Sequence, residues 1–352
     1  MGAKRLSRTS VSHYVRGELI PTACFFRSAI LRQNDSAHYY LGVDGGGTKC
    51  RMRLADQNLT TLGEAVSQTP SNLQVRNGDA AYAAVMELIG PVFAQAGLDM
   101  SCAKQTHACF GMAGARMKSA RIAFAARKFP FASLKVVDDI DIARAGAHQG
   151  KDGAVLIIGT GSAGLGLVNG KRLQIGGWGF LVGDAMSGAI LGRKLLRKSL
   201  LAFEGIEEKS PLTEAVMEKF DNQPDQMMAW SFDNPEAKKD LLELQASGFS
   251  SYQTAPVPAR PTDYGSFVPL WFDYYEKGDP VASELMEAEL VSIDKHVHWF
   301  TKRGAKAIAI VGGLGQRLFP ILKGRYGDLL VRAKSEPLSG ALILARQARE
   351  KD

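Results

Sequence analysis

Three apolar runs in this chain each stop at a cluster of glycines: Leu41-Gly-Val-Asp-Gly-Gly-Gly-Thr48, Ala154-Val-Leu-Ile-Ile-Gly-Thr-Gly161 and Ala307-Ile-Ala-Ile-Val-Gly-Gly-Leu-Gly315. Short apolar runs bounded by glycine read as buried strands that end in tight turns. The first two continue into a second strand, over 50–55 and 165–168, and the latter meets Asn169-Gly170, a strong hairpin turn. Residues 62–68, 106–114 and 134–137 read as further strands. Apolar residues at helical spacing mark 79–96, where Gly90-Pro91 is expected to kink or split the helix. Helices are also predicted over 118–128, from 142, over 187–203, over 280–303 and over 337–351.

Strands alternating with helices predict an α/β fold. A strand–turn–strand unit in each half predicts two related lobes with a cleft between them. The expected division puts the N-terminal lobe at 39–148 plus 336–352 and the C-terminal lobe at 149–335. Pro235, Pro256, Pro258 and Pro261 suggest an insertion at 233–260. Residues 1–38 lack periodicity and are expected to be a disordered or wrongly annotated extension.

Composition narrows this picture only a little. The 352 residues are 45% hydrophobic and 22% charged, as in soluble proteins of about two domains. More than half of the net charge of +7 lies in residues 1–38, so the basic balance is a tail effect and no nucleic-acid partner is expected. Cys24, Cys50, Cys102 and Cys109 have no paired spacing, which argues against a zinc site or disulfide framework. No apolar run reaches membrane-spanning length. The expectation is a cytoplasmic protein, without a membrane partner, acting as a homodimer. His296-x-His298 falls on a predicted helix with no further ligand, so no histidine metal site is expected.

The chemistry concentrates at the glycine turns. Such turns present unblocked N–H groups to anions, and Asp44, at the end of its strand, is placed to hold a cation. Gly159-Thr-Gly161-Ser-Ala-Gly164 matches the dinucleotide fingerprint in letters only. That motif needs a helix next, and here a strand and hairpin follow. No Walker A pattern occurs. Asp138 and Asp139 close a strand ahead of a helix. The residues alone leave both a helix cap and a base open as their roles. Asn72, Trp178 and Asp184, in glycine- or proline-flanked loops, offer the polar groups and flat apolar face that a sugar requires.

At Asp44-Gly-Gly-Gly-Thr48, Gly159-Thr-Gly-Ser162, Gly176-Gly-Trp-Gly179 with Gly183-Asp184, and Val311-Gly-Gly-Leu314, the sequence resembles the BadF/BadG/BcrA/BcrD-type ATPases. These belong to the actin/hexokinase/Hsp70 superfamily. The resemblance covers about residues 39–350 and is closest to bacterial glucosamine and N-acetylglucosamine kinases. It implies a two-lobed actin-like (ribonuclease H-like) fold with ATP in the interlobe cleft. It implies that Asp44 acts on Mg²⁺ and that Gly46, Gly47, Thr48 and Lys49 face the β/γ-phosphates. Thr160 and Gly161 then cradle phosphate from the other lobe, and Gly312, Gly313 and Leu314 match the adenosine motif. Asp139 matches the catalytic aspartate, while Asn72, Gly114, Gly177, Trp178 and Asp184 match sugar-pocket positions.

Two departures bear on the substrate. Ala185-Met186 replaces the family's usual Glu-Gly, which removes a carboxylate expected near the sugar. Ala163 stands where N-acetylglucosamine kinases commonly have Asn, nearer the glucosamine kinase pattern. The implied activity is therefore transfer of the ATP γ-phosphoryl group to the 6-hydroxyl of glucosamine. N-acetylglucosamine kinase is the alternative. An ATPase-type activator would hold an iron–sulfur cluster, for which these cysteines are not arranged. A sugar-responsive regulator fits poorly with an intact Asp44, Asp139 and Gly-Thr-Gly.

Overall fold

The computed structural model describes residues 38–239 and 256–350. The extension and most of the expected insertion lie outside the described residues. Two five-stranded mixed sheets organise the rest. The first contains β1 (Tyr39–Gly45), β2 (Cys50–Ala55), β3 (Thr61–Ser67), β4 (Thr106–Met112) and β5 (Ser133–Asp138), ordered β3-β2-β1-β4-β5. The second contains β6 (Gly153–Ile158), β7 (Ser162–Val168), β8 (Lys171–Gly176), β9 (Ile308–Val311) and β10 (Leu330–Val331), ordered β10-β9-β6-β7-β8. The two orders are the same topology. In each, the first three strands form an antiparallel meander, and the last two add in parallel beside the first. The fold is thus α/β and two-lobed.

The helices are α1 (Asp79–Gln95), α2 (Lys118–Ala125), α3 (Asp139–His148), α4 (Gly188–Phe203), α5 (Pro211–Glu218), α6 (Pro224–Phe232), α7 (Pro261–Gly265), α8 (Val268–Glu276), α9 (Pro280–Thr301), α10 (Gly313–Tyr326) and α11 (Pro337–Arg349). Period-2 alternation divides β1 between two cores. Leu41 and Val43 join Val92 and Phe93 of α1. Tyr40 points the other way, among Ile142 of α3 and Ala341, Leu342 and Ala345 of α11. A larger core in the second lobe gathers Leu156, Leu195, Trp271, Ile293, Phe300 and Ile310. Ile140 of α3 packs with Val155 and Leu165, so apolar contact continues from one lobe to the other.

Two expectations are corrected here. Pro91 does not split α1, which runs unbroken to Gln95. Pro91 itself is exposed, while Ile89, Val92 and Phe93 on either side are buried, and their packing offsets the lost backbone bond. The helix expected from 142 begins three residues earlier, so Asp139 is its first residue.

Glu289 is fully buried on the core face of α9, and neither carboxyl oxygen has a hydrogen-bond partner among the described residues. Burial pushes its pKa up to about 7, against a weaker pull from Lys194. The folded chain therefore holds a proton that the unfolded chain releases, and stability falls as pH rises from the ordinary glutamate value toward 7. Glu289→Met should raise the melting temperature at pH 8 by a few degrees, roughly 2–4 °C per kcal/mol, and by less at pH 4.5. Equal shifts at both pH values would contradict this account.

Candidate active site

Parallel strands beginning at one edge of a sheet also end together. The C-terminal ends of β1, β4 and β5 therefore place Asp44, the 112–114 turn and Asp138-Asp139 along one edge. The turn after Asp44 closes through the Gly46 N–H, which donates to the Lys49 carbonyl at 2.9 Å. Buried Ser71 fastens it: its N–H donates to the Gly46 carbonyl at 2.9 Å, and its hydroxyl lies 3.2 Å from the carbonyls of both Gly46 and Lys49. Gly47, Thr48 and Lys49 remain exposed.

The next residue after Ser71 is Asn72, whose Oδ1 accepts the Gln74 N–H at 2.9 Å. A Cβ on Gly114, which has φ +80°, would fall 2.3 Å from that same Oδ1. The Leu73 N–H donates to the Ala113 carbonyl, and the Ala113 N–H to Gly45. Asn72 and Gly114 are thereby brought together beside the first phosphate turn.

Asp44 lies opposite Arg51 in the β1–β2 register and pairs with it at 2.6 Å. Arg51 also reaches Glu336, just before α11, at 2.8 Å. Asp138 occupies the N-cap position of α3, yet its side chain caps nothing. Its Oδ2 accepts a hydrogen bond from Gln174 of β8 at 3.0 Å, and its carboxyl group is close enough to Asp139 to raise that residue's pKa. Asp139 is half-buried, and its pKa is pushed up to about 7. Burial is the largest cause; the charge and hydrogen bond of Asp138 follow, Asp44 adds to them, and the Ile140 N–H pulls the other way.

The second turn forms between β6 and β7, where the Gly159 N–H donates to the Gly161 carbonyl at 3.0 Å. The Gly159 and Thr160 carbonyls accept the first N–H groups of α4, from Gly188 and Ala189. Gly312, with φ +94°, lies against this turn; a Cβ there would sit 2.5 Å from the Ile158 carbonyl oxygen. Gly313 opens α10, while the Leu314 side chain is buried in the core and does not face the cleft.

The loop after β8 is bound to the same turn. The Gly177 N–H donates to the Ser162 carbonyl, and the buried Asp184 carboxyl lies beside the Ser162 and Gly179 backbone N–H groups, which favour its charged form. Burial pushes the Asp184 pKa up against the pull of those groups. Its carboxylate is thus engaged within its own loop. Trp178 is 65% exposed, and the Arg116 guanidinium of the first lobe stacks on it at 3.9 Å.

Arg51, Ser71, Arg116, Arg172 and Gln174 were absent from the sequence expectation. Counting back from the turn would have put Arg51 opposite Asp44. The other four meet the site through contacts distant in sequence and carry no local signal.

Among the described residues no group of three or more His, Cys, Asp or Glu side chains could hold a metal alone. Mg²⁺ that arrives with nucleotide phosphates needs only one or two carboxylates and completes its shell with water. Asp44 suits that demand. The Asp44 charge adds to the raised pKa of Asp139, so a cation held at Asp44 would relieve it.

A family model for the BadF/BadG/BcrA/BcrD ATPase family matches residues 41–345. The chain belongs to that family. It is 33% identical over 308 residues to glucosamine kinase GspK of Vibrio cholerae, covering 88% of this chain and 96% of that one. It is 29% identical over 220 residues to an N-acetylmuramic acid/N-acetylglucosamine kinase of Clostridium acetobutylicum, covering 61% of this chain and 71% of that protein. Among solved structures, a candidate N-acetylglucosamine kinase from Chromobacterium violaceum superposes with a TM-score of 0.70 at 28% identity, covering 88% of this chain and 99% of that one. No helix among the described residues is long and apolar enough to cross a membrane.

Proposed function

We propose that this member of the family is an ATP-dependent amino-sugar kinase, transferring the γ-phosphoryl group to the 6-hydroxyl of glucosamine. The observation that carries the reading is Asp139: a half-buried carboxyl with raised basicity, on the edge it shares with the Asp44 turn. Phosphoryl transfer asks the protein mainly for positioning and charge stabilisation. Asp139 orients the sugar hydroxyl and takes its proton. Gly46 closes the first turn through its own N–H, so the N–H groups of Gly47, Thr48 and Lys49 hold the β/γ-phosphates there, and those of Thr160 and Gly161 hold them from the second lobe. Gly312, Gly313 and the Leu314 backbone receive adenosine. Asp44 holds Mg²⁺, which neutralises phosphate charge when bound.

Asn72, Gly114, Gly177 and Trp178 line the sugar pocket, and Asp184 shapes it by fixing the Gly177–Gly179 loop. The likeness to glucosamine kinase GspK over nearly its whole length supports glucosamine as the sugar. N-acetylglucosamine is the second reading, supported by the Clostridium relative. Coupled ADP-release kinetics on glucosamine, N-acetylglucosamine, N-acetylmuramic acid and glucose test both. The proposal predicts kcat/KM at least about tenfold higher for glucosamine, the range one substituent commands in a pocket. A preference for N-acetylglucosamine would replace it with the second reading, and ADP release indifferent to sugar would remove both. A homodimer is proposed as the working assembly, and light scattering on the same preparation tests it.

A further inference from the structure

A chain of hydrogen bonds runs from the second lobe into the carboxyl pair. Arg172 and Gln174 are two apart on β8 and so share a face. The Arg172 guanidinium grips both oxygens of Asp141, at 2.8 and 2.9 Å, and donates to Gln174 Oε1 at 2.7 Å. An amide whose oxygen is fixed by a cation must present its NH₂ end elsewhere, since arginine can only donate. Gln174 Nε2 accordingly donates to Asp138 Oδ2 at 3.0 Å. Both contacts cross between lobes, from β8 to the end of β5 and the first turn of α3.

Asp138 has an alternative partner. It stands at the N-cap of α3, where a carboxylate ordinarily accepts an N–H of the helix's first turn, an interaction of about 1 kcal/mol. It makes no such bond. Gln174 donates to Oδ2 instead, which leaves the Asp138 carboxyl group beside that of Asp139. We infer that Gln174, itself oriented by Arg172, is a positioning residue that fixes the Asp138 carboxylate beside Asp139 and so limits Asp139 to the orientation that meets the sugar hydroxyl. The other charges facing the pair are Asp44 on β1, Asp141 on α3, Arg116 after β4 and Arg172 on β8. None of these donates a hydrogen bond that would replace that of Gln174 on Asp138 Oδ2.

This inference rests on the proposed kinase reading. The test is steady-state kinetics on the full chain with Gln174→Met, Asp138→Ala and the double variant, alongside melting curves. Methionine preserves length and volume and removes the donor. Gln174→Met should lower kcat about tenfold and leave the KM for ATP within about twofold, with a much smaller further loss in the Asp138→Ala background, since coupled sites are not additive. Arg172→Lys, which cannot grip Asp141 with a planar fork, should give an intermediate loss. A kcat for Gln174→Met within twofold of the unsubstituted protein overturns the inference. So does an equal tenfold loss with and without Asp138. Absence of sugar-dependent ADP release in the unsubstituted protein overturns the kinase reading, and this inference with it.

Discussion

Asp139→Asn should lower sugar-dependent ADP release by about 10²–10⁴-fold, the usual contribution of a positioned general base, while the KM for ATP stays close to its original value. Asparagine keeps the shape and can still accept the Ile140 N–H, but it cannot take a proton. The same substitution should have a second, opposite effect. The Asp139 pKa is raised in the folded chain, chiefly by burial and then by Asp138. At pH values between an ordinary aspartate's and about 7, the folded chain therefore binds more protons than the unfolded one, and stability falls as pH rises. Asparagine removes this slope. The variant should melt above the unsubstituted protein at pH 8 and close to it near pH 4. A dead enzyme that melts higher at alkaline pH would show that the site keeps a destabilising charge for its chemistry. kcat/KM of the unsubstituted protein should fall as pH drops below about 7, where Asp139 of the free enzyme becomes protonated. Turnover of Asp139→Asn near the original level would remove Asp139 from its role.

Local patterns carried much of the fold. The runs at Leu41 and Ala154 were legible because apolar residues followed by glycine need no distant information. The Asn169-Gly170 hairpin was equally local, and both residues have the positive φ, 50° and 73°, that the turn demands. β10 is only two residues long, too short to show any period. The start of α3 was misplaced because Asp138-Asp139 looked like strand-end polar residues, although Asp139 already belongs to the helix.

The site divides the same way. Asp44, the glycine turns and Asp139 announce themselves by residue type beside a strand end. Gln174 and Arg116 are ordinary polar residues in their own segments. Their importance comes from the other lobe, 36 residues away in the case of Gln174 and Asp138. The Asp138-Asp139 pair was read as cap or base; the Asp138 side chain caps nothing and accepts an interlobe hydrogen bond instead.

Gly340→Ala should destabilise the protein by on the order of 2–3 kcal/mol or more, an overpacking cost, although alanine is the better helix former by about 1 kcal/mol. The clash decides the sign. A Cβ on Gly340 of α11 would lie 1.9 Å from the Ile142 carbonyl oxygen and 2.4 Å from the Gly146 nitrogen, both backbone atoms of α3. Gly146 is equally tight in return, its own Cβ position being 2.4 Å from the Glu336 carbonyl oxygen. Neither neighbour is a side chain that can rotate away, so the two helices must separate. Their separation would reach the site directly. α3 carries Asp139 as its first residue, and Glu336 before α11 holds Arg51 against Asp44. The variant should therefore lose melting temperature by several degrees, about 5 °C or more, and lose turnover with it. Gly324→Ala in α10 is the matched control, because its Cβ would meet nothing within 4 Å. There the helix gain of about 0.5–1 kcal/mol should appear without opposition. Gly340→Ala melting at or above the unsubstituted protein would mean that the α3–α11 crossing is looser than the contact distances require, and that it does not fix the spacing between Asp139 and the Asp44 turn.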